Sequence, residues 1–194
     1  MYAIDAGVYN AGSAVNWMKN LGLFSGWDGI EHFEEPSAIS RGLVFVPALS
    51  GLACPFWDRS AAGLWLGLSL ETTKTDLCQA VLEGIALRTA QLLDAMTRLT
   101  GEHQRLSVDG GLTNNSYFCQ FLADLTRCAI IVPASPDITT LGTGRFALIG
   151  SGLVARPSDL PPAEKPKALI KPRKDSTLFK HRFNEATKRS RNWR

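Results

Sequence analysis

Hydrophobic and polar positions along this chain switch between two periods. After Asn10-Ala-Gly12-Ser13, the residues Val15, Met18 and Leu21 or Gly22 recur every three to four positions, which predicts a helix with one apolar face. Leu43 to Val46 is an unbroken apolar run closed by Pro47, a buried strand. From Leu64 to Leu70 leucines alternate with Trp65, Gly67 and Ser69, the period of two of a sheet with one buried face. Thr73 followed by Asp76 resembles a capping box, and Leu77, Val81, Ile85, Leu92, Met96 and Leu99 then line one face of a long helix ending at Gly101. Leu106 to Leu125 reads as strand, glycine turn at Gly110-Gly111, and helix from Asn115, with Phe118, Phe121, Leu122 and Leu125 on one face. Ala129 to Val132 is another strand, bounded by Pro133 and Pro136. The small-residue helix that follows Thr139 carries glycines that predict close packing. Tyr2 to Ile4 predicts a short strand before Asp5-Ala-Gly7.

Strands alternating with helices over residues 43 to 150 predict an α/β layered domain with a mixed or parallel sheet, in which ligands sit at Gly-rich turns beyond the strands' carboxyl ends. Residues 25 to 41 are acidic and irregular, a loop or small helix with no chemistry assigned. Glu31, Glu34 and Glu35 are read there as a solvated face, with a carboxylate cluster as the alternative. Glu83 and Arg88, five residues apart on the long helix, are not helix neighbours and read as surface or helix-packing charges.

A chain of 194 residues, 45% hydrophobic and 20% charged, can bury a real core. It has no apolar run near the roughly 18 residues of a membrane span, and Met1 to Asn10 lacks the pattern of a signal peptide, so no membrane association and a cytoplasmic location are expected. Cys54, Cys78, Cys119 and Cys128 form no C-x-x-C pair, and His32, His103 and His181 do not lie at ligand spacing to them, which predicts free thiols, no disulfide frame and no zinc. Charge is uneven: residues 161 to 194 carry 11 Lys and Arg against 3 acidic residues. Phe179, Phe183, Ala186 and Trp193 interleave with that charge, the spacing of an amphipathic helix docked on the body. Nucleic-acid binding by the tail is the lesser alternative. Residues 156 to 175, rich in proline, read as a linker or surface wrap between residues 1 to 155 and the basic helix of residues 176 to 194.

Adjacent glycines at 110 and 111 let a flat ligand approach the backbone, and the N–H groups of the following helix start attract anions. An ordinary strand-to-helix connection is the bland alternative. The strings AGSAVNW, VFVPALSGLACPFWD, AVLEGIALRTAQLLDAM, SVDGGLTNNSYFCQFLADL and TTLGTG change that balance. In their order and spacing the chain closely resembles the second half of the FGGY carbohydrate kinases, the glycerol kinase branch above all. The resemblance runs from about Tyr2 to Leu153, and more loosely through the tail.

The resemblance implies a ribonuclease-H-like α/β ATPase domain of the actin and hexokinase type, the C-terminal half of a two-domain kinase. It implies that Gly111 and Asn115 face the adenine or ribose, that Gly110 shapes the turn, and that Gly12 and Asn16 border the nucleotide on the other side. Asp109 orients the turn or simply ends the strand. ATP with Mg²⁺ is the implied cofactor, the Mg²⁺ contacts lying on an N-terminal domain that matches nothing here. That domain also supplies the first phosphate loop, the polyol-binding residues and the aspartate base, and the second phosphate-binding turn falls upstream of Met1; no catalytic residue is therefore assigned. Ala53 stands where the family usually has glycine, and Thr143 and Gly144 where it has small alanines, which affects the fine shape of the pocket. The implied activity is ATP-dependent phosphorylation of a polyol or sugar hydroxyl, with glycerol giving glycerol 3-phosphate, this chain being inactive alone and the full-length protein a homo-oligomer. The alternative is a non-catalytic half-kinase acting as a regulatory or protein-binding module.

Overall fold

Helix α2, Lys74–Thr100, is the axis of the molecule. In the computed structural model, which describes residues 4–135, 137–162 and 164–194, it is packed by α1 (Gly12–Asn20), strand β1 (Val44–Val46), α3 (Ser116–Thr126) and α5 (Phe179–Ser190). The predicted capping box is formed: Thr73 Oγ1 accepts the Asp76 N–H at 3.2 Å, and Asp76 accepts the Thr73 N–H at 2.9 Å. The expectation of a single apolar face is corrected. Residues 78–88 are all buried, because the helix is packed from several sides, and exposed residues lie toward its two ends, with Lys74 and Thr75 exposed at the start and Leu99 near the finish.

Glu83 and Arg88 are each 1% exposed, so neither is a surface charge. Arg88 donates to the Ala53 and Cys54 carbonyls, and its guanidinium lies 5.2 Å from the Phe56 ring. Gly84 is where α2 touches β1. A Cβ there would lie 2.2 Å from the Phe45 carbonyl oxygen, so only glycine admits this approach.

Two small sheets flank the helices. β1 pairs antiparallel with β2 (Leu64–Leu66), Phe45 opposite Trp65, and the rings of Trp17, Phe45 and Trp65 pack together with centroids 4.8–6.0 Å apart. β2 is shorter than its alternating pattern predicts and only half-buried; the chain turns away after Leu66, and Thr72 Oγ1 accepts the Ser69 N–H at 2.9 Å. In the second sheet β3 (Arg105–Ser107) and β4 (Ala129–Val132) run parallel, and β5 (Ala168–Ile170) joins β4 antiparallel. The sheet is thus mixed. β5 lies inside the proline-rich stretch read from sequence as linker or wrap, and Asp124 secures the chain after it by accepting the Arg173 N–H at 2.6 Å.

Helix α4 (Ile138–Gly150) corrects another expectation. None of its residues is buried, and Cβ atoms built at Gly142 and Gly144 would meet nothing within 4 Å, so its glycines mediate no close packing within this chain. Helix α5 does dock: Phe183 and Ala186 are buried, Lys180 bridges Asp94 at 2.8 Å, and Phe179 stacks on Phe121. Trp193, expected on the docked face, is exposed. All four cysteines are free, and burial pushes the Cys78 and Cys119 thiols up to about 11. No described helix is long and apolar enough to cross a membrane. The strand predicted at Tyr2–Ile4 lies almost wholly outside the described residues, as does Pro136.

Candidate functional site

The start of α1, the 3₁₀ turn Trp27–Ile30 and the glycine turn between β3 and α3 enclose a cleft of about 670 Å³, with Leu82 of α2 also in its lining. That volume suits a molecule of nucleoside size. Gly12, Asn16, Gly110, Gly111 and Asn115, the five positions singled out in the sequence, all line it.

Each bank owes its shape to local chemistry. α1 begins after Ala11, which offers no side-chain cap, and its first turn holds no acidic residue. The partial positive charge of the helix start is therefore left to the cleft. Across from α1 in sequence, β3 ends and Gly110 adopts φ +89°, a left-handed conformation that favours glycine. Thr113 locks the turn, donating its N–H (3.0 Å) and its hydroxyl (2.7 Å) to the Gly110 carbonyl. Gly111–Asn114 then forms a 3₁₀ turn, and Asn115 caps α3 by accepting the Phe118 N–H at 2.8 Å.

Gly12 and Gly111 differ from Gly110. Neither has a positive φ, and a Cβ at either would meet no atom within 4 Å. Neither the backbone conformation nor packing within the chain requires glycine there; what its absence of a side chain leaves is open surface on the cleft. Asn16 is exposed one turn further along α1. Asn115 is 8% exposed, and besides capping α3 its Nδ2 donates to the Ile30 carbonyl at 2.5 Å. Its amide thus already binds two parts of the wall together.

Trp27, Ile30 and Glu31 form the bank that sequence reasoning missed. They fall in the stretch to which no chemistry was assigned, and the only signal was a tryptophan among acidic residues. Trp27 is half-exposed, tilted against Phe24 with ring centroids 5.6 Å apart, and Lys19 Nζ lies 5.6 Å from its ring. Glu31 and Asp109 add carboxylates to a lining otherwise made of apolar side chains, among them Val15, Leu82 and Leu112, of glycine backbone and of amide groups.

Behind this bank sits the most perturbed carboxylate of the described residues. Burial pushes Glu83 up to about 7, against the hydrogen bonds from Tyr117 and from the Ile39 and Ala38 N–H groups, which pull it down. Burial and the facing Glu83 carboxylate hold the Tyr117 phenol far above its usual range. A second cleft, about 730 Å³, runs along α4 beside Pro161 and Pro162, but none of the five predicted residues reaches it.

The comparisons with known proteins bear on the family and the fold. The model of the FGGY family of carbohydrate kinases, C-terminal domain, matches residues 1–151. Glycerol kinase from Rhodospirillum rubrum is 38% identical over 161 residues, covering 82% of this chain and 32% of that protein. Glycerol kinase from Haemophilus influenzae is 32% identical over 197 residues, covering 99% of this chain and 39% of its own length. Among solved structures, Plasmodium falciparum glycerol kinase with ADP superposes with a TM-score of 0.75 at 26% identity, over 92% of this chain and 37% of that one. A ligand-bound xylulose kinase from Lactobacillus acidophilus superposes with 0.77 at 22% identity, over 95% and 38%. The chain therefore spans between about a third and two-fifths of its relatives' length, and its mixed α/β layers match the C-terminal halves of actin-like kinase structures. With a family model matched over most of its length, the chain belongs to the FGGY family of carbohydrate kinases and carries that family's C-terminal domain.

Proposed function

We propose that this chain grips the adenosine part of ATP for a kinase that phosphorylates a polyol or sugar hydroxyl, with glycerol as the first candidate substrate. The observation that carries the reading is the pair of glycines, Gly12 and Gly111, at two helical starts facing one cleft, each with open space where a side chain would stand. Glycine in a helical turn costs about 0.5–1 kcal/mol relative to alanine, and nothing else in the fold uses that absence. A base and ribose can then lie directly on the backbone, while the uncapped helix start favours the phosphate side of the ligand. The ADP in the Plasmodium falciparum structure and the glycerol kinase relatives at 32–38% identity point the same way.

In this reading the chain binds and orients, and the chemistry is in-line transfer of the γ-phosphoryl group to the acceptor hydroxyl. Gly110, Gly111 and Asn115 hold one side of the nucleoside, Gly12 and Asn16 the other. Mg²⁺ belongs with the ATP phosphates, and its protein ligands are expected outside this chain. The acceptor site and the proton-accepting base are likewise expected on a partner domain, and the complete protein in the cytoplasm.

Titrating ADP into the purified chain by calorimetry tests the reading. Binding with a Kd on the order of 1 mM or tighter is expected, matched by ATP and lost with a pyrimidine nucleotide. A folded chain with no adenine preference would overturn it and leave a non-catalytic module.

A further inference from the structure

We infer that Glu83 and Tyr117 are a positioning pair: together they strap residues 30–39 against α2 and α3 and so set the position of the Trp27–Glu31 wall of the cleft. The inference rests on the nucleotide reading of that cleft.

Two of the cleft's banks are built into a helix or a strand–turn–helix unit. The third is not: residues 27–41 contain a single 3₁₀ turn, with Ile30 buried near one end, Ser37, Ala38 and Ile39 buried near the other, and no residue buried between them. What holds it is a chain of contacts from α2 and α3. Asn115 Nδ2 donates to the Ile30 carbonyl, and Ser116 Oγ donates to the Glu31 carbonyl at 3.4 Å. One residue on, the Tyr117 ring packs edge-on against Phe33 with centroids 4.9 Å apart. The Tyr117 hydroxyl donates to Glu83 Oε1 and accepts from Gln79 Nε2 at 2.9 Å.

Glu83 then takes the far end of the segment. Its Oε1 accepts the Ala38 N–H at 2.9 Å and its Oε2 the Ile39 N–H at 2.8 Å, two consecutive amides at the start of the turn that returns the chain to β1. From α5, Arg182 donates to the Ile39 and Ser40 carbonyls of the same turn, and Arg41 ties it to Gln79 at 2.7 Å. The carboxylate thus touches both the strap, at 38–39, and the aromatic residue that pins it at Phe33.

Its place in α2 makes the coupling short. Leu82, its neighbour in sequence, lines the cleft, so one helical turn both faces the ligand and holds the wall beside it. A buried carboxylate costs several kcal/mol of desolvation unless donors satisfy it. Three donors do so here, two of them on the strap's backbone.

The test compares wild type with Tyr117→Phe, which keeps the ring against Phe33 and removes only the hydroxyl, and with Glu83→Gln, which keeps the shape and turns one acceptor into a donor. Amide hydrogen exchange is followed over residues 27–39 and, as an internal control, over β4 and β5; ADP affinity and Tm are measured on the same samples. The pair is expected to raise exchange over 27–39 about tenfold, leave β4 and β5 unchanged, and weaken ADP about fivefold, since a wall that must be ordered on binding lowers affinity. Loss of Tm with unchanged exchange at 27–33, or raised exchange with wild-type ADP affinity, would show a merely structural pair and overturn the inference. A wild-type chain that fails to bind ADP defeats the nucleotide reading instead, and the exchange measurement still decides whether the pair holds the wall.

Discussion

Gly12 and Gly111 are conspicuous because the fold itself does not need them. Gly111→Ala creates no clash and no strained φ, so Tm should stay within about 2 °C while calorimetric ADP affinity falls about tenfold, through a methyl group set between backbone and ligand. Gly12→Ala should show the same split, with stability raised by up to about 1 kcal/mol in a urea titration. Glu83 makes a different prediction at this scale. Its folded value of about 7 lies above the ordinary 4.5 because burial outweighs the three donors that favour the carboxylate, so between about pH 4.5 and 7 the folded chain keeps a proton that the unfolded chain has already released. The resulting stabilisation is fully present below about pH 4.5, is lost as pH rises through about 7, and amounts to on the order of 3 kcal/mol. Urea midpoints measured from pH 5 to 8 should fall in wild type, and Glu83→Gln should flatten that slope. Gly111 was legible in the sequence because a Gly-Gly step between a strand and a helix has a local meaning, whereas Gly12 drew notice through the family resemblance. Glu83 was not, because a lone glutamate on a helix looks the same whether it meets water or two buried amides from 45 and 44 residues away.

At the scale of elements, α2 and α3 follow their sequence signals closely, the Thr73–Asp76 box and the helix start at Asn115, because a cap is made by residues three positions apart; that Asn115 also caps α3 is added by the structure. Packing is less local. Gly84→Ala would force α2 off β1, since the new Cβ would sit 2.2 Å from the Phe45 carbonyl oxygen; thermal unfolding should show a loss of about 1–3 kcal/mol or more. Small residues on α4 suggested a similar contact, yet no residue of α4 is buried in this chain. Glycine spacing shows that a helix can be approached closely, not what approaches it. β5 escaped notice for a related reason: three residues between prolines carry too little periodicity to mark a strand, and pairing with β4 makes it one.

For the whole molecule, the prediction concerns what this domain does in company. Adding an N-terminal domain from a glycerol kinase relative, in trans or fused, should recover glycerol-dependent ADP release in a coupled assay, where the chain alone releases none. A reconstituted protein that turns over xylulose or gluconate but not glycerol would move the substrate assignment and leave the nucleotide assignment in place. The sequence by itself determined the α/β alternation, the capping box of α2, the glycine turn and the kinship with FGGY kinases, because each is written in residues close together or in strings whose order is distinctive. Only the tertiary structure decided that residues 12, 30, 82 and 111 share one cleft and that a buried carboxylate stands behind its wall. Those facts depend on which distant backbone groups meet a side chain once water has been excluded, as Asn115 meets the carbonyl of Ile30 across 85 residues.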